Sequence, residues 1–134
     1  MKTAFEATTN GITVRVQVDY LDQHSEPEAG RFFWAYHIAI INAGSETVQL
    51  LSRSWEITDA TGYTQRVKGP GVVGKQPVLR AGEKFEYSSA VPLGSPSGFM
   101  VGTYHMRALP DGRNFDIAVP AFSLDSPFLD LKPH

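Results

Sequence analysis

Cysteine is absent from the 134-residue sequence, and this absence excludes several kinds of chemistry together. A thiolate zinc site, a CxxC redox pair, a cysteine nucleophile and a disulfide framework all require it. A disulfide-free chain is typical of the cytosol, and the opening segment, with Glu6 and no apolar run after it, does not match a signal peptide. We therefore expect a cytoplasmic protein.

The sequence also lacks a strong charge of one sign and a long apolar run. Twelve Lys and Arg against 14 Asp and Glu give a formal net charge of −2, which provides no basic field for a phosphate backbone. The most apolar segment, Phe32 to Ile41, contains His37 and is about half as long as a membrane-spanning helix. We expect neither a nucleic acid partner nor a membrane partner.

Helical spacing is missing as well, whereas alternation with period two dominates the chain. No window of helical length shows apolar residues at i, i+3, i+4 and i+7 without Gly or Pro. Apolar and polar residues alternate from Ile12 to Tyr20. The segment from Thr47 to Thr58 changes phase once, which predicts a β-bulge or a sheet-switching bend near Leu51 to Arg53. The other predicted strands are Ala4–Thr8, Phe32–Ile41, Tyr63–Val67, Phe85–Val91, Met100–Arg107 and Phe115–Val119.

About seven to eight short strands without helices predict an all-β fold, an antiparallel β-sandwich, with a closed barrel as the alternative. A chain of this length, with 42% hydrophobic residues, makes one domain, which we assign to residues 1–124. Residues 125–134 form a C-terminal tail, whose Phe128, Leu129 and Leu131 are expected to pack on the body or on a second copy. The longest predicted loop runs from Lys68 to Lys84.

A glycine-rich segment within this loop, Gly69-Pro70-Gly71-Val72-Val73-Gly74, matches the dinucleotide-binding fingerprint by letter. That fingerprint needs a helix to begin at the phosphate, and Pro70 and Pro77 prevent one, so we exclude a Rossmann site. Two interpretations remain: a structural loop, or a nest of glycine amides that binds a small anion. For the second, the ligand-binding residues are Arg53, Arg66, Lys68, Gly69, Gly71, Gly74 and Lys75.

One imidazole and three carboxylates are concentrated in a second predicted loop, at Asp22, His24, Glu26 and Glu28. The segment lacks the HExxH pattern, paired histidines and the calcium-loop pattern. We therefore interpret it as a solvated acidic loop, with these four residues as weak candidates for cation binding. No metal site and no cofactor are predicted.

Residues for nucleophilic catalysis are sparse. The Gly-x-Ser-x-Gly pattern is absent, and the histidines are scattered along the chain at His24, His37, His105 and His134. We expect that the protein is not an enzyme.

The tripeptide Arg53-Ser54-Trp55 follows the predicted bulge and combines the two residue types most enriched in binding hot spots. Trp55 is favoured as a core residue between the sheets, whereas the direction of Arg53 stays open because the bulge leaves the inward parity uncertain. If these side chains are exposed, the predicted interaction surface consists of Trp34, Tyr36, Arg53 and Trp55.

Several longer segments occur in a fixed order between Phe5 and Leu124. They are Arg31-Phe32-Phe33-Trp34-Ala35-Tyr36, Val48-Gln49-Leu50-Leu51-Ser52-Arg53 with Trp55, Ile57 and Thr58, the Gly69–Gly74 segment with Gln76-Pro77, Gly82-Glu83 with Phe85 and Tyr87, Pro96-Ser97-Gly98, and Gly102 with Tyr104 and Met106. In this order the segments resemble the ApaG family.

The resemblance implies a sandwich of fibronectin type III or immunoglobulin-like kind. It also implies a small stand-alone bacterial protein, named from a gene neighbourhood shared with diadenosine tetraphosphate hydrolase and linked by name to cobalt and magnesium tolerance. A similar domain in eukaryotic F-box proteins looks like a protein-recognition module, and the family supplies no catalytic residues. This sequence departs from the family at Ser54, where members usually carry His or Tyr, and at Ala90, where Gly is common.

We therefore predict a non-catalytic binding module for another protein, acting through an exposed sheet face or the Gly/Pro loop. One alternative is a binder of a small anion or nucleotide phosphate at Gly69 to Lys75. Another is an accessory role in cobalt or magnesium homeostasis. The apolar tail and the expected unprotected strand edges also predict a homodimer.

Overall fold

The computed structural model describes residues 3–128, and their fold consists almost entirely of antiparallel strands. This part of the chain has nine strands: β1 (Thr3–Thr9), β2 (Ile12–Tyr20), β3 (Phe32–Asn42), β4 (Val48–Asp59), β5 (Thr64–Pro70), β6 (Val78–Leu79), β7 (Lys84–Leu93), β8 (Ser97–Ala108) and β9 (Asn114–Asp125). Two three-residue 3-10 turns, Asp22–His24 and Pro27–Ala29, lie in the connection between β2 and β3. None of the helices among these residues has the length and apolarity needed to cross a membrane.

The strands form two separate sheets. The first has the order β1-β2-β3-β7, and the second has the order β5-β4-β8-β9, with β6 pairing with the beginning of β4. The predicted antiparallel sandwich is thus confirmed, and the barrel alternative is wrong because no ladder within residues 3–128 joins the two sheets.

The core lies between the sheets and contains the side chains that the alternating sequence pattern predicts to face inward. On β2, every second residue from Ile12 to Val18 is buried while Arg15 and Gln17 are exposed, as expected for a strand with one face in the core. The predicted phase change on β4 is confirmed, because the register with β8 shifts between Leu50 and Ser52.

The predicted long loop from Lys68 to Lys84 is wrong in its extent. β5 continues through Gly69 to Pro70, and the short strand β6 occupies Val78–Leu79, so the connection between them is only residues 71–77. The end of β5 was missed because Gly69 and Pro70 are residues typical of turns. A proline is nevertheless compatible with an edge strand when its missing N–H faces away from the neighbouring strand.

The C-terminal segment is described as far as Phe128, and Leu129, Leu131 and the rest of the predicted tail lie outside the described residues. β9 extends to Asp125, the first residue assigned to the tail. The ring of Phe128 packs against the rings of Tyr20 and Phe32, with centroids 6.4 and 6.2 Å apart. The described beginning of the tail therefore packs on the domain itself.

Candidate functional site

The two long sides of the sandwich differ. On one side β1 lies against β9: the Ala118 amide donates to the Thr9 hydroxyl over 3.3 Å, and the rings of Phe5 and Phe122 lie 6.2 Å apart. On the other side, between β5 and β7, the sheets leave a cleft of about 330 Å³. Its lining combines the inner faces of β4, β5 and β7 with the turn that follows β5. This open side is the candidate site.

The β4 bulge decides which side chains face this cleft. Before the bulge the buried residues of β4 are Val48 and Leu50, and after it they are Trp55 and Ile57. The change of parity places Arg53 in the same inward row as Trp55, opposite Tyr104 on β8. The direction of Arg53, which the sequence left open, is thus toward the space between the sheets.

The Arg53 guanidinium crosses β5 at a residue without a side chain. A Cβ on Gly69 would lie 2.9 Å from Nη1 and 3.1 Å from Nη2 of Arg53. Beyond this glycine, Nη1 donates hydrogen bonds to the carbonyl oxygens of Pro70 and Gly71 over 3.1 and 2.8 Å. The guanidinium is therefore held at the edge of the second sheet, beside the mouth of the cleft.

Aromatic rings form the floor of the cleft. The ring of Trp55 makes edge contacts with those of Tyr36 and Tyr104, at centroid distances of 5.8 and 6.3 Å. The hydroxyls of Tyr87 and Tyr104 share a 2.5 Å hydrogen bond. Burial raises the pKa of both phenols well above the ordinary value, so both stay protonated at neutral pH.

The aromatic part of the predicted interaction surface lies in the core. Trp34 is fully buried and donates its indole N–H to the Asp125 carbonyl oxygen over 2.8 Å. Tyr36 and Trp55 are 7% and 4% exposed, because the inward parity of β3 and the β4 bulge place both between the sheets. Arg53 is the partly exposed member of the predicted set.

The glycine-rich segment forms a tight turn. The Gly71 amide donates to the Leu51 carbonyl, while the amides of Val72 and Lys75 donate to each other's carbonyl oxygens. Of the residues proposed for anion binding, Gly71 and Lys75 therefore already have backbone partners for their amides. A Cβ on Gly71 would collide with the Lys75 carbonyl, so closure of the turn explains this glycine without any ligand.

The cations predicted to flank an anion are separated by the fold. Arg66 and Lys68 lie on β5 and are exposed, and Arg66 pairs with Glu56 over 3.0 Å. Gly74 and Lys75 lie in the exposed turn, whereas Gly69 belongs to β5. The predicted set therefore spans an edge strand and a turn instead of surrounding one nest.

The weak cation candidates lie on and beside the 3-10 turns and are exposed. Asp22 and His24 belong to the first turn, Glu28 belongs to the second, and Glu26 pairs with Arg31 over 3.8 Å. Among residues 3–128, no group of three His, Asp or Glu side chains is arranged to hold a metal ion.

The sheet register creates a polar relay that the sequence analysis missed. On the outer face of the second sheet, the Ser54 hydroxyl lies 2.8 Å from His105 Nε2, and His105 Nδ1 lies 2.8 Å from Asp116. Only the strand pairing brings these residues together, since they come from β4, β8 and β9. Their outward parity could have been predicted, but their register could not.

A similar relay lies on the outer face of the first sheet. His37 Nδ1 is 2.6 Å from the Ser88 hydroxyl, and His37 Nε2 is 3.2 Å from Asp19. The residue types are those of a serine hydrolase, but acyl transfer also needs convergent donors for the developing oxyanion. Ser54 lies on β4, between its two paired neighbours β5 and β8, where backbone amides donate along the ladders. We interpret both relays as hydrogen-bonded chains that link neighbouring strands.

Comparison with known proteins identifies the family. The sequence pattern described as the ApaG domain matches residues 22–108. A protein from Rhodospirillum centenum described as Protein ApaG is 55% identical over 130 residues, which cover 97% of this chain and 99% of that protein. Protein ApaG from Paramagnetospirillum magneticum is 59% identical over 123 residues, which cover 92% and 94%.

A solved structure agrees with this relationship. The crystal structure of the putative ApaA protein from Bordetella pertussis matches the fold with a TM-score of 0.84 at 42% identity, and the match covers 87% of this chain and 94% of that one. From the matched pattern and these relatives we conclude that the chain belongs to the ApaG family.

Proposed function

We propose that the chain is a non-catalytic binding module for a partner protein, and that an extended segment of the partner adds to the free edge of β5. The observation that carries this proposal is the open side of the sandwich, where β5 borders a cleft lined by aromatic rings and Arg53. Strand addition supplies affinity through main-chain hydrogen bonds and specificity through alternate side chains that enter such a cleft.

The hydrogen-bonding pattern of β5 supports strand addition. At its two ends, the Asp59 amide donates to the Tyr63 carbonyl over 3.0 Å and the Gly71 amide donates to the Leu51 carbonyl over 2.8 Å. Because bonded pairs alternate along an antiparallel ladder, the odd-numbered residues of β5 bond to β4. The even-numbered residues direct their N–H groups toward the free edge, and they are Thr64, Arg66 and Lys68.

The charge near this edge favours an acidic partner segment. Residues 60–82 contain no Asp or Glu, although the whole chain has a net charge of −2. The cations of this stretch are Lys68, Lys75, Arg80 and Arg66, the last of which pairs with Glu56 on β4. Like charges oppose the pairing of β5 with a second copy of itself, whereas an acidic strand avoids that repulsion. A homodimer through this edge is therefore not part of the proposal.

Two apolar side chains at the mouth of the cleft support the same surface. Val67 is 38% exposed and Val73 is 53% exposed, and both line the cleft. Val73 also has a left-handed backbone, with φ of 44°, which a β-branched residue rarely adopts. A strained and exposed valine beside a cleft is more typical of a binding surface than of a structural turn.

Amide exchange measured by NMR tests the proposal with synthetic strands. The probe is a nine-residue peptide with blocked ends, with valine on one face except for a central glutamate, and with threonine and glutamate alternating on the other. We expect it to slow the exchange of the Thr64, Arg66 and Lys68 amides, and we expect a peptide with lysine in place of every glutamate to leave them unchanged. Unchanged exchange with the acidic peptide contradicts the proposal.

Two variants at one position provide the matched control. Lys68→Pro removes an N–H that faces the free edge, and Lys68→Thr removes the same charge but keeps that N–H. Strand addition predicts at least tenfold weaker peptide binding by Lys68→Pro than by Lys68→Thr, with circular dichroism showing that both variants are folded. Equal binding by the two variants excludes strand addition at β5.

A further inference from the structure

We infer that the cleft binds a carboxylate, and that an acidic side chain of the added strand places it on the Arg53 guanidinium opposite Gly69. The inference rests on the proposed addition of a partner strand to β5, and it specifies the chemistry that the partner brings to the cleft.

The position of the guanidinium is the first argument. Gly69 leaves a gap in the inward row of β5, and the guanidinium fills it, since a Cβ there would lie 2.9 Å from Nη1. A strand added to β5 would lie about 4.8 Å beyond it, the ordinary spacing of paired strands. An inward-facing side chain opposite Gly69 would therefore be a direct neighbour of the Arg53 charge.

The unused hydrogen-bonding capacity of Arg53 is the second argument. A guanidinium has five N–H donors, and those of Nη1 are occupied by the carbonyl oxygens of Pro70 and Gly71. Within residues 3–128 no carboxylate pairs with Arg53, and those two carbonyls are its only hydrogen-bond partners. The donors on Nε and Nη2 are left, and two such N–H groups form the fork that binds a carboxylate with two parallel hydrogen bonds.

The residues around Arg53 in the cleft are uncharged and leave its positive charge unbalanced. Tyr36, Trp55 and Val67 line the cleft beside it. The phenols of Tyr87 and Tyr104 are protonated at neutral pH and share one hydrogen bond, so neither supplies a compensating negative charge. A partly desolvated cation without a counter-ion favours an anionic ligand, and the low polarity around it strengthens the pairing.

The size of the cleft favours one acidic side chain over a nucleotide. Its volume of about 330 Å³ is at the lower end of the range for small-molecule pockets. A polyphosphate would place several negative charges opposite one guanidinium, whereas a single carboxylate matches it in charge and in shape. Aspartate and glutamate of an added strand are the side chains that carry such a group.

A double-mutant cycle tests the inference. The acidic peptide described above is compared with a peptide whose central glutamate is replaced by glutamine, on wild-type protein and on Arg53→Gln. We expect the glutamate peptide to bind wild-type protein about tenfold more tightly, as for a charge-assisted hydrogen-bonded pair, and we expect the two peptides to bind Arg53→Gln equally. The control variant Arg66→Gln removes an outward arginine of β5 and should keep the tenfold preference.

Each outcome has a distinct meaning. If neither peptide binds, the proposed function fails and the inference fails with it. If both peptides bind wild-type protein equally, strand addition stands and the carboxylate inference is overturned. A glutamate preference that persists in Arg53→Gln also overturns it, because another cation must then bind the carboxylate.

Two further measurements complete the test. The first uses wild-type protein and so does not depend on the folding of Arg53→Gln, and the second distinguishes a carboxylate on a strand from a free acid. In wild-type protein, the Arg53 Nε–H resonance should shift on addition of the glutamate peptide and not of the glutamine peptide, and an unchanged resonance overturns the inference. Free glutarate should bind at least tenfold more weakly than the glutamate peptide. Equal affinity would identify a small acid, and not a strand, as the occupant of the cleft.

Discussion

An alanine at Gly102 should overpack the core beneath the candidate site. Gly102 lies on β8 opposite Trp55 on β4, and a Cβ built on it would be 2.5 and 2.6 Å from two carbon atoms of the indole. Favourable contacts between carbon atoms are 3.5–4.0 Å long, so the ring would have to move by about 1 Å. Trp55 is 4% exposed, and its ring makes edge contacts with three other rings, those of Tyr36, Tyr104 and Phe122.

The expected cost follows from this geometry. Overpacking a tight core typically costs about 1–3 kcal/mol. Because the backbone of Gly102 is not in the left-handed region, alanine fits its conformation and recovers up to about 1 kcal/mol by restricting the unfolded chain. The free energy of unfolding should therefore fall by about 1–2 kcal/mol. With a urea m-value of about 2 kcal/mol/M, the unfolding midpoint should fall by about 0.5–1 M.

Gly69→Ala is the matched control, because Gly69 also lies on the inner face of the second sheet. A Cβ there meets the Arg53 guanidinium, the far end of a long side chain, which can rotate away from its two carbonyl partners and into water without disturbing the core. We expect its midpoint to stay within about 0.25 M of wild type, as for a change of about 0.5 kcal/mol. Urea unfolding followed by tryptophan fluorescence measures both variants. A midpoint for Gly102→Ala equal to that of wild type would refute the packing argument.

Two further predictions concern the margin and the floor of the cleft. Val73→Asn should raise the free energy of unfolding by about 0.5–1 kcal/mol, because Asn adopts the left-handed conformation and Asn-Gly is the preferred pair for such a turn. The control Val78→Asn changes an exposed valine of a regular strand and should not stabilise, and a lower unfolding midpoint for Val73→Asn would contradict the prediction. The pKa of Tyr87 is raised in the folded state, so the folded chain retains this proton above pH 10 while the unfolded chain releases it. Stability should therefore decline as pH rises above 10. Urea midpoints measured between pH 9 and 11.5 should decline less steeply for Tyr87→Phe than for wild type. An equal decline in both proteins would contradict the raised pKa of Tyr87 as a cause of this decline.

Side-chain parity was sufficient to predict most of the strands. The alternation from Ile12 to Tyr20 predicted β2 with its observed bounds, because one face of that strand lies in the core and the other faces water. The bulge on β4 was also predictable, since buried residues change parity between Leu50 and Trp55. Both patterns involve only residues that are close in the sequence, so they can be recognised without knowing which strands pair.

Strand pairing could not be predicted in the same way. The two-residue strand β6 has too few residues to show a period, and only its pairing with Val48 and Gln49 defines it. The relay of Ser54, His105 and Asp116 depends on the registers of β4 with β8 and of β8 with β9. A register is set by contacts between distant segments, so one sequence does not specify it.

The bulge also decides to which face of the second sheet position 54 belongs. If Leu51 paired regularly with β8 instead of bulging, the parity of Val48 and Leu50 would continue, and Ser54 would face the cleft while Arg53 faced solvent. With the bulge, Ser54 lies on the outer face and binds His105, and Arg53 lies between the sheets beside Gly69. A change of side chain at position 54 therefore alters the outer face and leaves the cleft intact. The chemistry of the cleft depends instead on Arg53, on the glycine that it crosses and on the bulge that keeps Arg53 on the inner face.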